Sequence, residues 1–174
     1  MRWIPVAVGL AGALIPVVAQ SRVYLSIEQA QREMLPGVVL TPHPIVLTNE
    51  QQARMRAASS VSHPFQGNRV WKAPDGSWFV VDEVVGKHEF ITYAVALDAR
   101  GTVLRVEVLE YRESYGHEVA ARSWLAQFEG RNQVTPIDLG RDIANIGGAT
   151  LSCKHLTDGV KRVLVLHTMA LRSR

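Results

Sequence analysis

The segment from Arg69 to Arg112 most constrains the fold, because it contains four apolar, β-rich runs separated only by short turns. Pro74-Asp75-Gly76 and Asp98-Ala99-Arg100-Gly101 are turn sequences, and an Asp-Gly step between apolar runs is typical of a β-hairpin. Strands joined by such short turns pair antiparallel, since parallel pairing needs a long crossover connection. The predicted strands are Arg69–Ala73, Ser77–Val85, His88–Leu97 and Thr102–Arg112.

The last predicted strand has an alternating pattern. Leu104, Val106 and Val108 share one face, whereas Arg105 and Glu107 share the other, because successive side chains of a strand point to opposite sides. We therefore expect a sheet with one face in the core and one wetter face.

Helical patterns flank the β region on both sides. Ser26-Ile27-Glu28-Gln29 and Thr48-Asn49-Glu50-Gln51 are capping boxes, which satisfy the free N–H groups at a helix start. After the strands, Glu118–Glu129 has apolar residues at helical spacing, namely Ala121, Trp124, Leu125 and Phe128. A final helix is predicted from about Thr150 to Leu171. These elements predict an α+β fold: an antiparallel β-meander packed with flanking helices, with a long C-terminal helix.

The first nineteen residues differ from the rest of the chain. Trp3–Ala19 carries no charge, and Val17-Val18-Ala19 before Gln20 resembles the small-residue cleavage site of an exported protein. Residues 1–19 are therefore predicted to be a secretory signal peptide or an uncleaved membrane anchor, and residues 20–174 a single domain. We expect the protein to be exported, to the periplasm or the outer face of the cytoplasmic membrane.

Composition argues against several classes of function. The net charge is only +3 and the basic residues are scattered, so we expect no nucleic-acid binding. The single cysteine, Cys153, allows no internal disulfide, and the chain lacks the C-x-x-C-H sequence of covalent haem. The six histidines have no metal-ligand spacing such as H-E-x-x-H, and we expect neither a metal site nor a set of catalytic residues.

The stretch Gly147-Gly148-Ala149-Thr150-Leu151-Ser152 is the strongest candidate for a ligand site, because it begins the last predicted helix. A helix start has unpaired N–H groups and the positive end of the helix dipole, so it attracts phosphate. The two glycines let the backbone turn and approach a ligand closely. Three roles are open to the Thr150 hydroxyl: it caps the helix, contacts a phosphate or is esterified by one.

Two segments carry a resemblance to a known family. The segment from Ala144 to Ser152, continued by Thr157-Asp158-Gly159-Val160, resembles the flavinylation motif of the FMN-binding domain family. That motif is approximately Asp-x-x-Ser/Thr-Gly-Ala-Thr, and its final Thr carries FMN through a phosphoester bond. Glu113-Ser114-Tyr115-Gly116, followed by Trp124–Gly130, is similar to the family's acidic loop and the helix after it. Members include the C subunit of the sodium-translocating NADH:quinone reductase and the G subunit of the Rnf electron-transport complex.

The resemblance implies an extracytoplasmic electron carrier rather than an enzyme that converts a substrate. It implies FMN attached to Thr150, FAD:protein FMN transferase as the maturation partner, and membrane or periplasmic redox proteins as electron donor and acceptor. In such proteins the flavin does the redox chemistry, while the protein binds, orients and tunes it. The implied cofactor-binding residues are Gly147, Gly148, Ala149, Thr150, Leu151 and Ser152 on the phosphate side and Glu113, Ser114, Tyr115 and Gly116 on the ring side.

Four positions differ from the family pattern. Ala144 stands where the motif has Asp, and Gly147 where it has Ser or Thr. In the acidic loop, Tyr115 replaces Pro and Glu118 replaces the final Gly. Two alternatives therefore stay open: a domain that binds FMN reversibly, and a non-redox binding module that has lost the cofactor.

Four side chains near these motifs have two possible roles each. Glu113 either faces the flavin ring, where it would disfavour the anionic reduced flavin, or is a solvated carboxylate at a strand end. Tyr115 either stacks on the isoalloxazine ring or lies on the surface. His155 either approaches the phosphate or ring or is an exposed helical residue, and Cys153 is either a catalytic thiol or a small packed residue.

Overall fold

The computed structural model describes residues 21–172, so the predicted signal peptide or anchor at residues 1–19 lies outside the described part of the chain. The described residues form six strands: β1 (Arg22–Val23), β2 (Thr41–Pro42), β3 (Val70–Lys72), β4 (Trp78–Val85), β5 (Phe90–Leu97) and β6 (Val103–Tyr111). They form one antiparallel sheet in the order β1-β6-β5-β4-β3-β2. The predicted meander is confirmed as β3 to β6, and the two-residue edge strands β1 and β2 are too short to show a sequence pattern.

Four α-helices accompany the sheet within residues 21–172: α1 (Ile27–Met34), α2 (Asn49–Ser59), α3 (Arg122–Leu125) and α4 (Thr150–Leu166). Both predicted capping boxes are present, at Ser26 before α1 and Thr48 before α2. A π-helical turn, His167–Leu171, extends α4, so the long C-terminal helix is confirmed. Within residues 21–172, no helix combines the length and apolar character that a membrane span requires.

The prediction of one continuous helix over Glu118–Glu129 is wrong. The segment forms a 3₁₀ turn, then α3, then a second 3₁₀ turn, because Ala121 has an extended backbone (φ −65°, ψ 129°) that interrupts the helix. The helical pattern predicted that Ala121 is buried. Ala121 is exposed, and Val119 is buried instead. The expected apolar residues after this break, Trp124, Leu125 and Phe128, are buried.

The face assigned to Leu104 from alternation is also wrong. Leu97 pairs with Val103 and Ala96 pairs with Arg105, so Leu104 is the extra residue of a β-bulge. A bulge shifts the alternation by one residue. Consequently Val103 enters the core while the Leu104 side chain is 42% exposed.

The expectation that one face of the sheet is wetter is wrong, because apolar clusters cover both faces. The larger core lies between the sheet and α4, with α2 packed against α4. A smaller apolar cluster lies on the opposite face under α1, where Ala30 and Met34 join Phe79, Val81 and Leu109.

A buried polar group joins α4 to the sheet. The Arg162 side chain is 1% exposed, and its Nε lies 3.5 Å from Oδ2 of Asp82, which is 3% exposed. The Tyr93 hydroxyl donates to the same Oδ2 at 2.9 Å. Burial raises the pKa of Asp82, although the Arg162 guanidinium opposes that shift. Because the two charges are removed from water together, separating α4 from β4 would leave each of them unpaired.

We predict that Gly159→Ala destabilises the protein by at least about 1 kcal/mol, even though alanine favours helices more than glycine by about the same amount. A Cβ at this position would lie 2.6 Å from the Tyr93 hydroxyl and 2.9 Å from Cγ1 of Val84. Both neighbours are fully buried, so they cannot move away from an added methyl group without displacing other core side chains. Urea denaturation measures the effect, and Lys154→Ala on the exposed side of α4 is the control. A stabilised Gly159→Ala variant would contradict the tight packing.

Candidate functional site

The two sequence segments singled out for cofactor binding meet at one cavity of about 570 Å³. Glu113, Ser114 and Tyr115 follow β6, and residues 148–152 begin α4, so the two walls come from distant parts of the chain. A third wall is the turn between β4 and β5, which contributes Lys87 and His88. The volume lies within the range of small-molecule and cofactor pockets, roughly 300–1,000 Å³.

The start of α4 lacks the caps that the other long helices have. Ala149 occupies the N-cap position and makes no side-chain cap, and the first turn contains no acidic residue. Thr150 is therefore the first helical residue, and its predicted alternative role as the N-cap is wrong. Within the described residues, the backbone N–H groups of Thr150, Leu151 and Ser152 have no hydrogen-bond acceptor. This leaves an electropositive helix end facing the cavity.

The Thr150 hydroxyl is exposed and has one polar neighbour, Asn145, whose Nδ2 donates to Oγ1 at 3.1 Å. The residue before Asn145 is held from two sides. The Trp124 Nε1–H group donates to the Ala144 carbonyl at 2.6 Å, and the Ala144 N–H group donates to Oε1 of Gln127 at 2.8 Å. The segment before the helix is thus fixed by the α3 region, although Ala144 lacks the carboxylate of the family motif.

Three glycines were predicted at the site, Gly116, Gly147 and Gly148, and Gly148 is the one that lines the cavity. Gly148 lines the cavity with φ +84°, and a Cβ there would meet nothing within 4 Å, so open space lies in front of this backbone. Gly116 does not line the cavity. A Cβ at Gly116 would lie 2.8 Å from the Tyr111 hydroxyl and 3.3 Å from the Ala149 Cβ. Gly116 therefore lets the acidic loop pack directly against the start of α4. Like Gly116, Gly147 does not line the cavity.

The Ser152 side chain is hydrogen-bonded within the protein. Its Oγ lies 2.9 Å from the hydroxyl of Tyr111, which donates to the Tyr115 carbonyl. Ser152 is buried. Its backbone N–H group, rather than its hydroxyl, is the donor that remains for a phosphate.

Glu113 does not act as a free charge toward the cavity. Its Oε1 accepts hydrogen bonds from three consecutive backbone N–H groups, those of Lys87, His88 and Glu89. Burial would raise the pKa of Glu113, but these three donors outweigh burial and lower it. The carboxylate thus fixes the β4–β5 turn, and the expected alternatives of a ring-facing charge or a solvated strand-end carboxylate both miss this role.

His155 supports the same turn from the helix side. Its Nδ1 lies 2.7 Å from the Gly86 carbonyl oxygen. Since a carbonyl oxygen only accepts, Nδ1 carries the proton. His155 and Cys153 are absent from the cavity lining. Cys153 is fully buried, and burial raises the pKa of its thiol, so it is the small packed residue of the two alternatives considered.

Apolar side chains at the cavity are unusually exposed. Tyr115 is 85% exposed and Leu151 is 44% exposed, and both line the cavity. Sequence reasoning missed Lys87 and His88, because the turn after β4 carries no ligand-binding pattern. The strand ends place these two residues in one turn, but only the packing of that turn against α4 makes them part of the site.

A model of the FMN-binding domain family matches residues 86–165, from the β4–β5 turn to near the end of α4. This segment belongs to the FMN-binding domain family. The chain matches none of the curated proteins with which it was compared. The matched segment contains all three walls of the cavity, so the cavity is the candidate flavin site of the FMN-binding domain. Within residues 21–172, no three His, Cys, Asp or Glu side chains are grouped as metal ligands.

We predict that Glu113→Gln lowers the free energy of unfolding by about 1–2 kcal/mol at neutral pH, because hydrogen bonds to a charged acceptor are stronger than those to a neutral one. The pKa of Glu113 is lowered from its ordinary 4.5. Its stabilising effect is therefore complete above that value and is lost as the pH falls through the lowered pKa. Urea denaturation from about pH 7 to about pH 3 should show the two proteins converging. Glu118→Gln, at an exposed position, is the control, and a difference independent of pH would contradict the role of the charge.

Proposed function

We propose that this protein is an exported flavoprotein electron carrier in which FMN is held by a phosphoester to Thr150. The observation that carries the proposal is the meeting of residues 113–115 and residues 148–152 around one cavity. These are the two segments that resemble the family's acidic loop and flavinylation motif. Bound FMN would supply the capacity to accept and pass on electrons.

The start of α4 suits the phosphate of FMN. Three backbone N–H groups there lack acceptors within the described chain, and no carboxylate in the first turn repels an anion. By contrast, α1 and α2 each satisfy their first N–H groups with a capping box and have Glu in the first turn. A phosphate at α4 would provide the acceptor that this helix lacks, and the helix dipole would favour its charge.

Thr150 suits a covalent link. Its hydroxyl is exposed at the cavity, and the Asn145 amide donates to Oγ1, which orients the oxygen without burying it. Attachment from FAD would form a bond between Oγ1 and the FMN phosphorus and break the pyrophosphate bond, with AMP and the hydroxyl proton leaving. The proposed maturation partner is accordingly FAD:protein FMN transferase.

The opposite side of the cavity suits the flavin ring. Tyr115 offers exposed apolar surface there, and an aromatic side chain can stack on the isoalloxazine. Ser114 and the β4–β5 turn complete this side. The proposed electron donor and acceptor are membrane or periplasmic redox proteins, in keeping with the apolar segment Trp3–Ala19.

Reversible FMN binding is a second candidate function. The helix-start donors serve a phosphate whether or not it is esterified. Gly147 in place of the motif's hydroxyl residue favours this alternative. Flavin that is released by acid precipitation would identify reversible binding.

We predict that Thr150→Val abolishes covalent flavin, whereas Thr150→Ser retains it, because only the hydroxyl can form the phosphoester. Proteins produced in a host with the transferase would be compared by intact mass and by flavin fluorescence after denaturation. Covalent flavin that persists after denaturation of Thr150→Val would contradict attachment at Thr150. A wild-type protein without flavin, even after incubation with FAD and the transferase, would favour the non-redox module.

We also predict that protein from its native host lacks residues 1–19 or is recovered with the membrane fraction. A mature mass that begins near Gln20 indicates signal cleavage, and an intact chain in the membrane indicates an anchor. An intact chain found only in the cytoplasmic fraction would contradict export. Fractionation followed by intact mass measurement distinguishes the three outcomes.

A further inference from the structure

The β4–β5 turn brings a positive charge to the cavity that the family motifs do not include. Lys87 and His88 line the cavity together with Thr150 and Tyr115. Within residues 21–172, neither Lys87 nor His88 forms an ion pair. The charge of Lys87 is therefore available to a ligand in the cavity.

The acidic residue of the cavity is already hydrogen-bonded within the protein. Glu113 is the only carboxylate among the cavity-lining residues, and its Oε1 is occupied by the N–H groups of residues 87–89. Those donors offset its negative charge locally, as in other anion-binding nests of backbone N–H groups. The formal charges of Lys87 and Glu113 are equal and opposite, but Glu113 is hydrogen-bonded to the turn through Oε1, whereas Lys87 forms no ion pair within residues 21–172.

The backbone that carries Lys87 is held in place from two directions. Glu113 binds the turn through three N–H groups, and His155 binds the Gly86 carbonyl at 2.7 Å. The Gly86 N–H group also donates to the Glu89 carbonyl at 2.8 Å, which closes the turn. A lysine on a fixed backbone keeps its flexible stem and ammonium within reach of the cavity.

We propose that Lys87 stabilises the reduced, anionic form of the flavin in this cavity and so raises its reduction potential. This inference rests on the proposed function, since it requires FMN in the cavity. Oxidised FMN that takes up two electrons and one proton from a reductant gains one net negative charge. A nearby ammonium lowers the energy of that product more than that of the oxidised flavin.

A lysine at the cavity acts on the reduced flavin in the opposite sense to the ring-facing Glu113 considered from the sequence. A ring-facing Glu113 would disfavour the anionic reduced flavin, but its Oε1 is held by the turn. Lys87 is therefore the charged side chain of the lining that has no partner within the described residues. Glu113 contributes indirectly, as the residue that positions the turn.

The test compares the flavin-loaded full-length wild type with Lys87→Gln, Lys87→Glu, Lys87→Arg and Lys154→Gln. Lys154 is the matched control, because it is a lysine one turn into α4 that does not line the cavity and is paired with Asp158 at 2.8 Å. Redox titration gives the midpoint potential, and fluorescence titration of the same substitutions in a Thr150→Val background gives the Kd for oxidised FMN.

We expect Lys87→Glu to weaken the binding of reduced relative to oxidised FMN about tenfold, which lowers the two-electron midpoint potential by about 30 mV. Lys87→Gln should shift the potential in the same direction by a smaller amount, and Lys87→Arg and Lys154→Gln should leave it near the wild-type value. Thermal unfolding of each variant checks that the fold is retained.

Three results would overturn the proposal. An unchanged potential with an equally weakened Kd for both flavin forms would mean that Lys87 contacts the phosphate instead of stabilising the reduced ring. An unchanged potential and Kd would mean that Lys87 does not interact with the flavin, while FMN binding itself stands. A wild-type protein that takes up no flavin would overturn the proposed function and this inference together.

Discussion

The packing of α4 across the sheet determines both the core and the position of the candidate site. Arg162, Asp82 and Tyr93 form the polar part of this contact, and all three are nearly inaccessible to solvent. A buried ion pair contributes little net stability, yet it is costly to separate. It therefore favours one seating of the helix, in which the Gly159 backbone lies against Tyr93. With that seating fixed, Thr150 at the other end of α4 lies beside the β4–β5 turn and the acidic loop.

The three walls of the cavity are linked to one another by polar contacts rather than by apolar packing alone. Glu113 joins the acidic loop to the β4–β5 turn, His155 joins that turn to α4, and Tyr111 joins β6 to Ser152. Each contact leaves the cavity-facing surface free. Residues that a motif comparison treats as ligand contacts thus serve in part as the frame of the site. The groups left for a ligand are the N–H donors of α4, the Thr150 hydroxyl, the exposed apolar surface of Tyr115 and Leu151, and the Lys87 ammonium.

Much of the fold was predictable because its elements carry local signals. Capping boxes located the starts of α1 and α2, an Asp-Gly turn located a hairpin, and apolar periodicity located α4. The errors lie where tertiary contacts override periodicity. Leu104 lies outside the core because a bulge shifts the alternation. The Glu118–Glu129 segment is interrupted at Ala121, and Val119 is the residue that is buried. Periodicity assumes a uniform backbone and cannot register either event.

The sequence by itself determined the chemistry available at the start of α4: small residues, a hydroxyl and a helix end without an acidic side chain. These are properties of neighbouring residues, so a short stretch contains them. Only the tertiary structure decided which other groups face that helix end. The partners of Glu113 are backbone N–H groups, which every non-proline residue has, so no sequence pattern marks them. Lys87 lies in a turn that has no ligand-binding pattern, so the sequence did not indicate it as a site residue. The packing of that turn against the acidic loop and α4 places Lys87 at the cavity.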